Sequence, residues 1–554
     1  MTTRTDTAAP QGAEAATREL TAFTDVRLIA GNSAAWHARR TLIAQARQTL
    51  DLCYFIVETD ASSAALVLDL LAAARRGVKV RVLVDYLMTY PHAPLLRGLA
   101  GGDATIEVRR FGAPSAEWLQ ALTRGGIDAR RFVEGLATQN TALLLESISA
   151  VVALPKSIAV NLRNALHRYE QGAQVFVLRV FEIFQEARSK LGEMLESTTH
   201  SAARGDPSVA GLLEGLRAKV DDVRRGVALA VEIIRGLEAV LHRTHHKLLL
   251  ADGHSFIMGG RNLADAYQCD APDSGRPFRD VDLQAVEVGE SASAHTEAFE
   301  ALWRLACAEP LDAVSALDAG GSALDADQIE VLARKLDQAA AAGLPGDVHP
   351  LPDMAGYIVN NLPGKAGDAS ITHAYTERIL VVIGAATRQT IDIVSAYAYF
   401  QDQTSGRPSL RGVRDALAAA ARAGHTVNIY TNSIDSTDLK SVNAAAYRTF
   451  ADLIDCGVHV HELAPGQGSL HAKVAAIGDD WLMVGSFNMD PRSELYDTNN
   501  LIVLQDANGA GTAVLREGFI LKLTWTPLSA QAARQLAEDR RQLAISLSGA
   551  DRIL

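Results

Sequence analysis

The chain has 554 residues, 48% of them apolar and 21% charged, and its 53 Lys and Arg against 65 Asp and Glu give a formal net charge of −12. That length suggests about three to five domain-sized units, and the apolar share excludes a mainly disordered chain. The acidic balance argues against a surface that grips nucleic acid through general positive charge.

The four cysteines, Cys53, Cys269, Cys307 and Cys456, are far apart and form no CxxC pair. They read as neither a disulfide framework nor a zinc site, and they suit a reducing compartment. Residues 1–24 lack the apolar core of a signal peptide and are predicted to be a disordered tail. The most apolar stretch, 143–160, carries Glu146, Pro155 and Lys156 and makes a poor bilayer span. The expectation is a cytoplasmic protein, or one attached peripherally to the cytoplasmic face of the membrane.

An internal repeat organises the chain. RQTLDL at 47–52 leads through CYFIV into a helical run that ends LAAARRGVKVRVLVD at 71–85. RQTIDI at 388–393 leads through VSAYAYF into LAAAARAGHTVNIYTN at 417–432. Each copy reads as a buried strand, a helix stopped at Gly77 or Gly424, and a second apolar strand, the βαβ pattern of parallel strands with a helical crossover. Both copies then carry a similar later segment, HHKLLLADGHSFIMGGRN at 245–262 and LHAKVAAIGDDWLMVGSFN at 470–488. The prediction is two homologous α/β halves, the first over 25–110 and 241–307 and the second over 371–505.

Between Gly77 and His245 lie 168 positions, against 47 between Gly424 and His471, so the first half holds an insertion over 111–240. Val209, Leu213, Leu216, Val220, Val223, Val227, Ala230, Ile234, Leu237 and Leu241 alternate steps of four and three, a heptad seam. Asp206 and Pro207 supply its N-cap and first-turn proline. A second stripe runs from Val177 to Leu195, so the insertion is predicted to be a long helical hairpin. The 207–241 helix is also a candidate oligomer contact. Residues 308–370 read as a connector with a short helix near 326–342, and 506–554 as a helical C-terminal tail.

The chemistry sits in the later segments. His245 and Lys247 lie two apart in a strand-like run, so both side chains leave one face. Asp252 ends that run, and Gly259-Gly260-Arg261-Asn262 makes a tight turn that brings an amide near the strand end. The second copy repeats the plan with His471, Lys473, Gly485, Ser486 and Asn488. An imidazole, an ammonium and an amide from each half would converge on one anionic group. Imidazole near its pKa serves as nucleophile or general acid at neutral pH, and two lysines supply the positive charge a phosphoryl transition state needs.

The pattern H-x-K-x4-D-x6-G-G-x-N at 245–262, repeated with variation at 471–488, resembles the HKD signature of the phospholipase D superfamily. The flanks GGRNLADAY, FRDVDLQAV, TNSIDSTD and VGSFNMDPRS are similar to bacterial cardiolipin synthases. The resemblance implies an α/β fold of two phospholipase D-like halves sharing one active site, and a reaction that uses neither metal nor other cofactor. One histidine attacks phosphorus to give a phosphohistidine, while the other protonates the leaving alcohol and then deprotonates the incoming water or alcohol. By analogy His245 is the nucleophile and His471 the acid and base, an assignment that the near two-fold symmetry leaves reversible. Lys247, Lys473, Asn262, Asn488 and Ser486 would bind phosphate oxygens, with Gly260 at the first-motif position of that serine.

In the family each acidic residue orients the opposite histidine, so Asp252 would support His471. Gly478 stands at the matching position of the second motif, with neighbouring Asp479 and Asp480 as possible substitutes for the carboxylate His245 would lack. Asp497-Thr498-Asn499 replaces the Asn-Thr-Glu of cardiolipin synthases. Arg279-Asp280-Val281-Asp282 has family precedent and reads nearly as well as a strand-edge ion pair. The functional expectation is a cardiolipin synthase-like phosphatidyltransferase or phospholipase D acting on glycerophospholipid phosphodiesters. Its substrate would be phosphatidylglycerol or a similar lipid, met through peripheral membrane contact. The alternatives are an HKD-type nuclease or phosphodiesterase, which the charge disfavours, and a weakly active phospholipid-binding scaffold, motivated by Gly478.

Overall fold

Three strand–helix–strand crossovers stop their helices on a glycine. The helices Ala61–Arg75, Leu410–Arg422 and Lys440–Asp455 are followed by Gly77, Gly424 and Gly457, with φ of +92°, +92° and +95°. Glycine adopts that left-handed conformation at little cost. The N–H groups of Val78, His425 and Val458 then return to the carbonyls of Ala73, Ala420 and Leu453, which closes each helix and releases the chain into a parallel strand.

The computed structural model describes residues 20–137, 242–306 except 271, 273–274 and 290–292, then 322–337, 347–361, 374–385, 390–400 and 409–540, with isolated positions between 138 and 241. The early strands are β1 (Thr21–Ile29), β2 (Thr49–Tyr54), β3 (Lys79–Asp85), β4 (Ile106–Phe111), β5 (Lys247–Ala251), β6 (Ser255–Gly259), β7 (Phe278–Arg279) and β8 (Asp282–Glu287). After β9 (Val348–Pro350) come β10 (Met354–Asn360), β11 (Thr390–Ser395), β12 (Thr426–Asn432), β13 (His459–Leu463) and β14 (Ser469–Leu470). The last are β15 (Lys473–Ile477), β16 (Trp481–Gly485), β17 (Asn500–Gln505) and β18 (Trp525–Leu528).

Two arms of one mixed sheet repeat a single strand order. One runs β1-β8-β6-β5-β2-β3-β4 and the other β10-β17-β16-β15-β11-β12-β13, with β18 added at the far edge. The antiparallel pair β1 and β10, in register at Thr21 and Gly356, joins the arms, and β9 lies beside β1. Separately, β7 and β14 form a short parallel ladder between segments 191 residues apart, Phe278 with Ser469 and Arg279 with Leu470.

Strands β5 and β15 are buried along their whole length. Leu249 and Ala251 face the first arm's own helices, while Ala475 and Ile477 do the same in the second. Their alternate neighbours Leu248, Leu250, Val474 and Ala476 meet in one core drawn from both arms. Full burial of such a leucine contributes roughly 1.5–3 kcal/mol, so this shared core fixes the arms against each other at the level where the histidines emerge.

Four boundaries differ from the sequence expectation. Thr21 to Thr24 belong to β1 rather than to a disordered tail, because their backbone pairs with β8 and β10. Met354–Asn360, assigned to the connector, is the strand that opens the second arm. The C-terminal region contributes β18 to the sheet edge as well as the helices Ala510–Gly518 and Ala530–Asp539. At the start of the expected insertion, Phe111 ends β4, and helices follow at Ala116–Arg124 and Ala129–Ala137. The Val209–Leu241 seam and the Val177–Leu195 stripe lie outside the described residues, apart from isolated positions. The connector helix spans Ala326–Asp337, with 338–346 outside the described residues.

Candidate active site

Each arm's histidine stands one residue beyond a parallel pairing with the other arm. Thr244 bridges Thr498, and His245 N–H donates to the Thr498 carbonyl at 2.8 Å. On the opposite side Leu470 pairs with Arg279, and His471 N–H donates to the Arg279 carbonyl at 2.8 Å. The same step places the next residue of each partner strand against the imidazole. His245 Nδ1 lies 2.9 Å from Asn499 Oδ1, and His471 Nδ1 lies 2.7 Å from Asp280 Oδ2. Both imidazoles are therefore oriented across the arms.

The lysines start the strands after each histidine. Lys247 Nζ donates to the His245 carbonyl at 2.9 Å and lies 5.0 Å from the centre of the Phe55 ring, while Lys473 Nζ donates to the His471 carbonyl. Phe55 also meets the edge of His245, and Tyr267 and Phe278, stacked on each other at 4.3 Å, wall His471. These rings remove water from both imidazoles, and all four polar side chains are buried.

Burial therefore dominates the electrostatics. It holds His245 well below the ordinary imidazole range, with the charges of Lys247, Lys473 and His471 adding to the effect. His471 is likewise held well down by burial, then by Lys473, Lys247 and Arg261. Burial and the Lys473 charge lower Lys247 far below a free lysine. Burial brings Lys473 down to about 8, with Asp280, Asp438 and Asp490 resisting the fall. An anion among these groups would oppose all four shifts, because each would then gain a negative neighbour.

The amides and the serine occupy unequal positions. Asn262 Oδ1 accepts from Ile56 N–H at 3.2 Å, and its carboxamide lies beside the Tyr267 hydroxyl. Asn488 is buried, and its Oδ1 has no hydrogen-bond partner. Ser486, expected to bind phosphate, instead donates to Asn499 Oδ1 at 3.2 Å and accepts from Asn500 N–H at 3.0 Å. Gly260 has no room for a serine, since a Cβ there would lie 2.2 Å from Asp280 Oδ1.

Three expected acidic residues lie away from the histidines. Asp252 has φ +51°, and its carboxylate takes the N–H groups of Arg47, Gln48 and Thr49, which ties the end of β5 to the start of β2. A carboxylate spent on three backbone donors at that strand end has no reach to His471, whose partner is Asp280. Gly478 has φ +61° at the matching corner, where Arg516 donates to the carbonyls of Gly478 and Thr390. Asp479 pairs with Arg516 at 2.7 Å, and Asp480 takes the Asp506 N–H on its carbonyl. Gly478 is thus a turn residue, and its lack of a carboxylate takes nothing from His245.

Asp280 and Asn499 are the site residues whose role the motif reading missed. They follow the motif asparagines Asn262 and Asn488 by 18 and 11 residues, so the repeat does not align them. The signal present was chemical: a carboxylate and an amide, each in a flank directly after its motif.

Residues 379–517 match a family model described as cardiolipin synthase, PLD-like domain. Cardiolipin synthase C of Escherichia coli (strain K12) is 27% identical over 292 residues, covering 48% of this chain and 58% of that one. The first relatives are therefore matched over less than two thirds of their length. Cardiolipin synthase A of Pseudomonas aeruginosa is 23% identical over 483 residues, 82% of this chain and 86% of that one. Residues 379–517 are a phospholipase D-like domain of the cardiolipin synthase type. This cardiolipin synthase-type domain holds His471, Lys473, Ser486, Asn488 and Asn499, whereas His245, Lys247, Asn262 and Asp280 come from outside the matched residues. In overall fold the chain is similar to the phosphatidylserine synthase of Haemophilus influenzae Rd KW20, with a TM-score of 0.51, 11% identity and 96% of both chains covered.

Proposed function

We propose that the two arms are phospholipase D-like halves sharing one site, and that the protein transfers phosphatidyl groups between alcohols through a phosphohistidine, in the manner of a cardiolipin synthase. The observation that carries this reading is the reciprocal pairing of each histidine with a residue of the other arm, because it makes one site that neither arm completes alone. Lys247 and Lys473 hold the nonbridging oxygens of a phosphodiester. His245 Nε2 attacks phosphorus, the bond to the first alcohol oxygen breaks, and that oxygen takes a proton from His471. An acceptor hydroxyl then loses its proton to His471 while its oxygen attacks phosphorus, and the nitrogen–phosphorus bond breaks. Water as acceptor gives hydrolysis, and a lipid alcohol gives transfer.

The substrate class follows from the relatives, which are phospholipid synthases by name. Among the described residues no helix is long and apolar enough to cross a membrane. The test is incubation with phosphatidylglycerol vesicles followed by lipid mass spectrometry. Cardiolipin with released glycerol, or phosphatidic acid if water accepts, is expected; unchanged lipid from folded protein overturns the reading.

Lys473 gives the site a pH dependence of its own. With its pKa brought down to about 8, it is charged below that pH and neutral above. Sulfate, whose charge is constant across this range, should lose affinity by about tenfold per pH unit once Lys473 deprotonates. Lys473→Arg stays charged and should flatten that slope. Calorimetric titration between pH 6 and 10 measures both.

A further inference from the structure

The arms repeat their strand order but not the group behind each histidine. His471 faces a carboxylate, Asp280, whereas His245 faces the amide of Asn499. An amide can be turned either way, and here its orientation is fixed. Both Asn499 Nδ2 donors are used, on the carbonyls of Ser493 at 3.2 Å and Asp497 at 3.0 Å. Oδ1 is left to accept, and Ser486 Oγ donates to it from one side. His245 Nδ1, 2.9 Å from that oxygen, must therefore carry the proton, which leaves Nε2 with its lone pair.

Resting on the phosphohistidine reading above, we propose that Asn499 is a positioning residue that holds His245 as the Nδ1–H tautomer, and that the amide and carboxylate behind the two histidines make their roles non-interchangeable. A neutral amide gives an imidazolium no counter-charge, and burial with the charges of Lys247 and Lys473 outweighs the Asn499 hydrogen bond, so His245 is kept as a neutral nucleophile. It also leaves the phosphorylated ring, which is formally cationic, without a neutralising partner and so keeps it reactive toward the acceptor. Asp280 does the opposite for His471, stabilising the imidazolium that must form when His471 takes the acceptor's proton. The neighbours match these roles. Gly260 makes space for the Asp280 carboxylate, whereas Ser486 fills the equivalent place and donates to the amide oxygen. The charges facing His245 are Lys247, Lys473 and His471, all of which oppose its protonation, and none of them fixes which nitrogen bears the proton.

The test uses the full chain in three forms: parent, Asn499→Leu and Asp280→Asn. Ring 15N–1H correlation on histidine-labelled protein, assigned with His245→Gln, should place the parent His245 in the Nδ1–H form and Asn499→Leu in a mixture. Turnover is compared on a p-nitrophenyl phosphodiester, whose leaving group needs no proton, and on an alkyl phosphodiester, whose leaving group does. Asn499→Leu should lower formation of the phosphoenzyme from both by at least about a hundredfold. Asp280→Asn should spare its formation from the p-nitrophenyl ester and lose at least about a hundredfold with the alkyl one. A parent His245 in the Nε2–H form, phosphorylation found on His471, or equal leaving-group dependence in the two variants would overturn the assignment. A parent that yields no phosphoenzyme from any phosphodiester, yet shows the Nδ1–H tautomer, would instead overturn the transferase reading alone.

Discussion

Removing either histidine is expected to reduce phosphatidyl transfer by at least about a thousandfold, but the two losses should differ in kind. On the proposed mechanism His245→Ala removes the atom that would bond to phosphorus, so no phosphoenzyme should form from any substrate. His471→Ala removes the proposed proton carrier while leaving His245 Nε2 and both lysines in place. With an activated phosphodiester it should still form a phosphoenzyme, and that species should persist because nothing deprotonates the acceptor. The physical basis is the separate seating of the two rings, one against Phe55 and Asn499, the other against Tyr267, Phe278 and Asp280. Denaturing quench at alkaline pH, where the nitrogen–phosphorus bond survives, and peptide mapping after reaction with a p-nitrophenyl phosphodiester separates the variants. Identical behaviour of both would mean that the two histidines do not divide the roles of nucleophile and proton carrier.

The largest stability effect is expected from Asp282→Ala. Asp282 Oδ2 accepts from Arg39 Nη1 at 2.9 Å and from Arg261 Nη1 at 3.1 Å, and none of the three side chains is more than 1% exposed. Truncating the carboxylate leaves two guanidiniums in a dry interior facing each other's charge, a loss of about 3–5 kcal/mol for breaking such a pair. The consequence reaches the site, because Arg261 also donates to the carbonyls of Ile29, Ala30 and Asp280. When Arg261 relaxes, the segment that presents Asp280 to His471 loses its anchor. Denaturant unfolding should show the destabilisation, and activity on the alkyl phosphodiester should fall in protein that remains folded. As a contrast, Arg334→Ala breaks an exposed pair with Glu330 and should cost no more than about 0.5 kcal/mol.

Much of the scaffold was legible in the residues. The RQTLDL and RQTIDI copies announce paired βαβ units, because a buried strand, an amphipathic helix and a terminating glycine are local signals that survive without tertiary context. The two His-x-Lys pairs were equally plain, since side chains two apart on a strand share a face whatever surrounds them. Short pairing segments were not legible. Met354–Asn360 has the length of a loop, and only its partners β1 and β17 make it a central strand. The four residues of β7 and β14 together have no pattern at all, yet they decide which arm orients His471.

The acidic residues mark where local reasoning ends. Asp252 and Gly478 sit at the motif's own spacing and serve strand corners, one through three backbone N–H groups and the other through its left-handed φ. Asp280 and Asn499 sit in flanks of unequal length and reach the imidazoles because a parallel bridge sets each one residue past its partner. The sequence by itself determined the chemical inventory, two histidines and two lysines on a duplicated α/β frame, because residue identity and strand periodicity are local properties. Only the tertiary structure decided which carboxylate and which amide stand behind those histidines, because that pairing crosses about 190 residues in one case and about 250 in the other and is set by strand register between the arms.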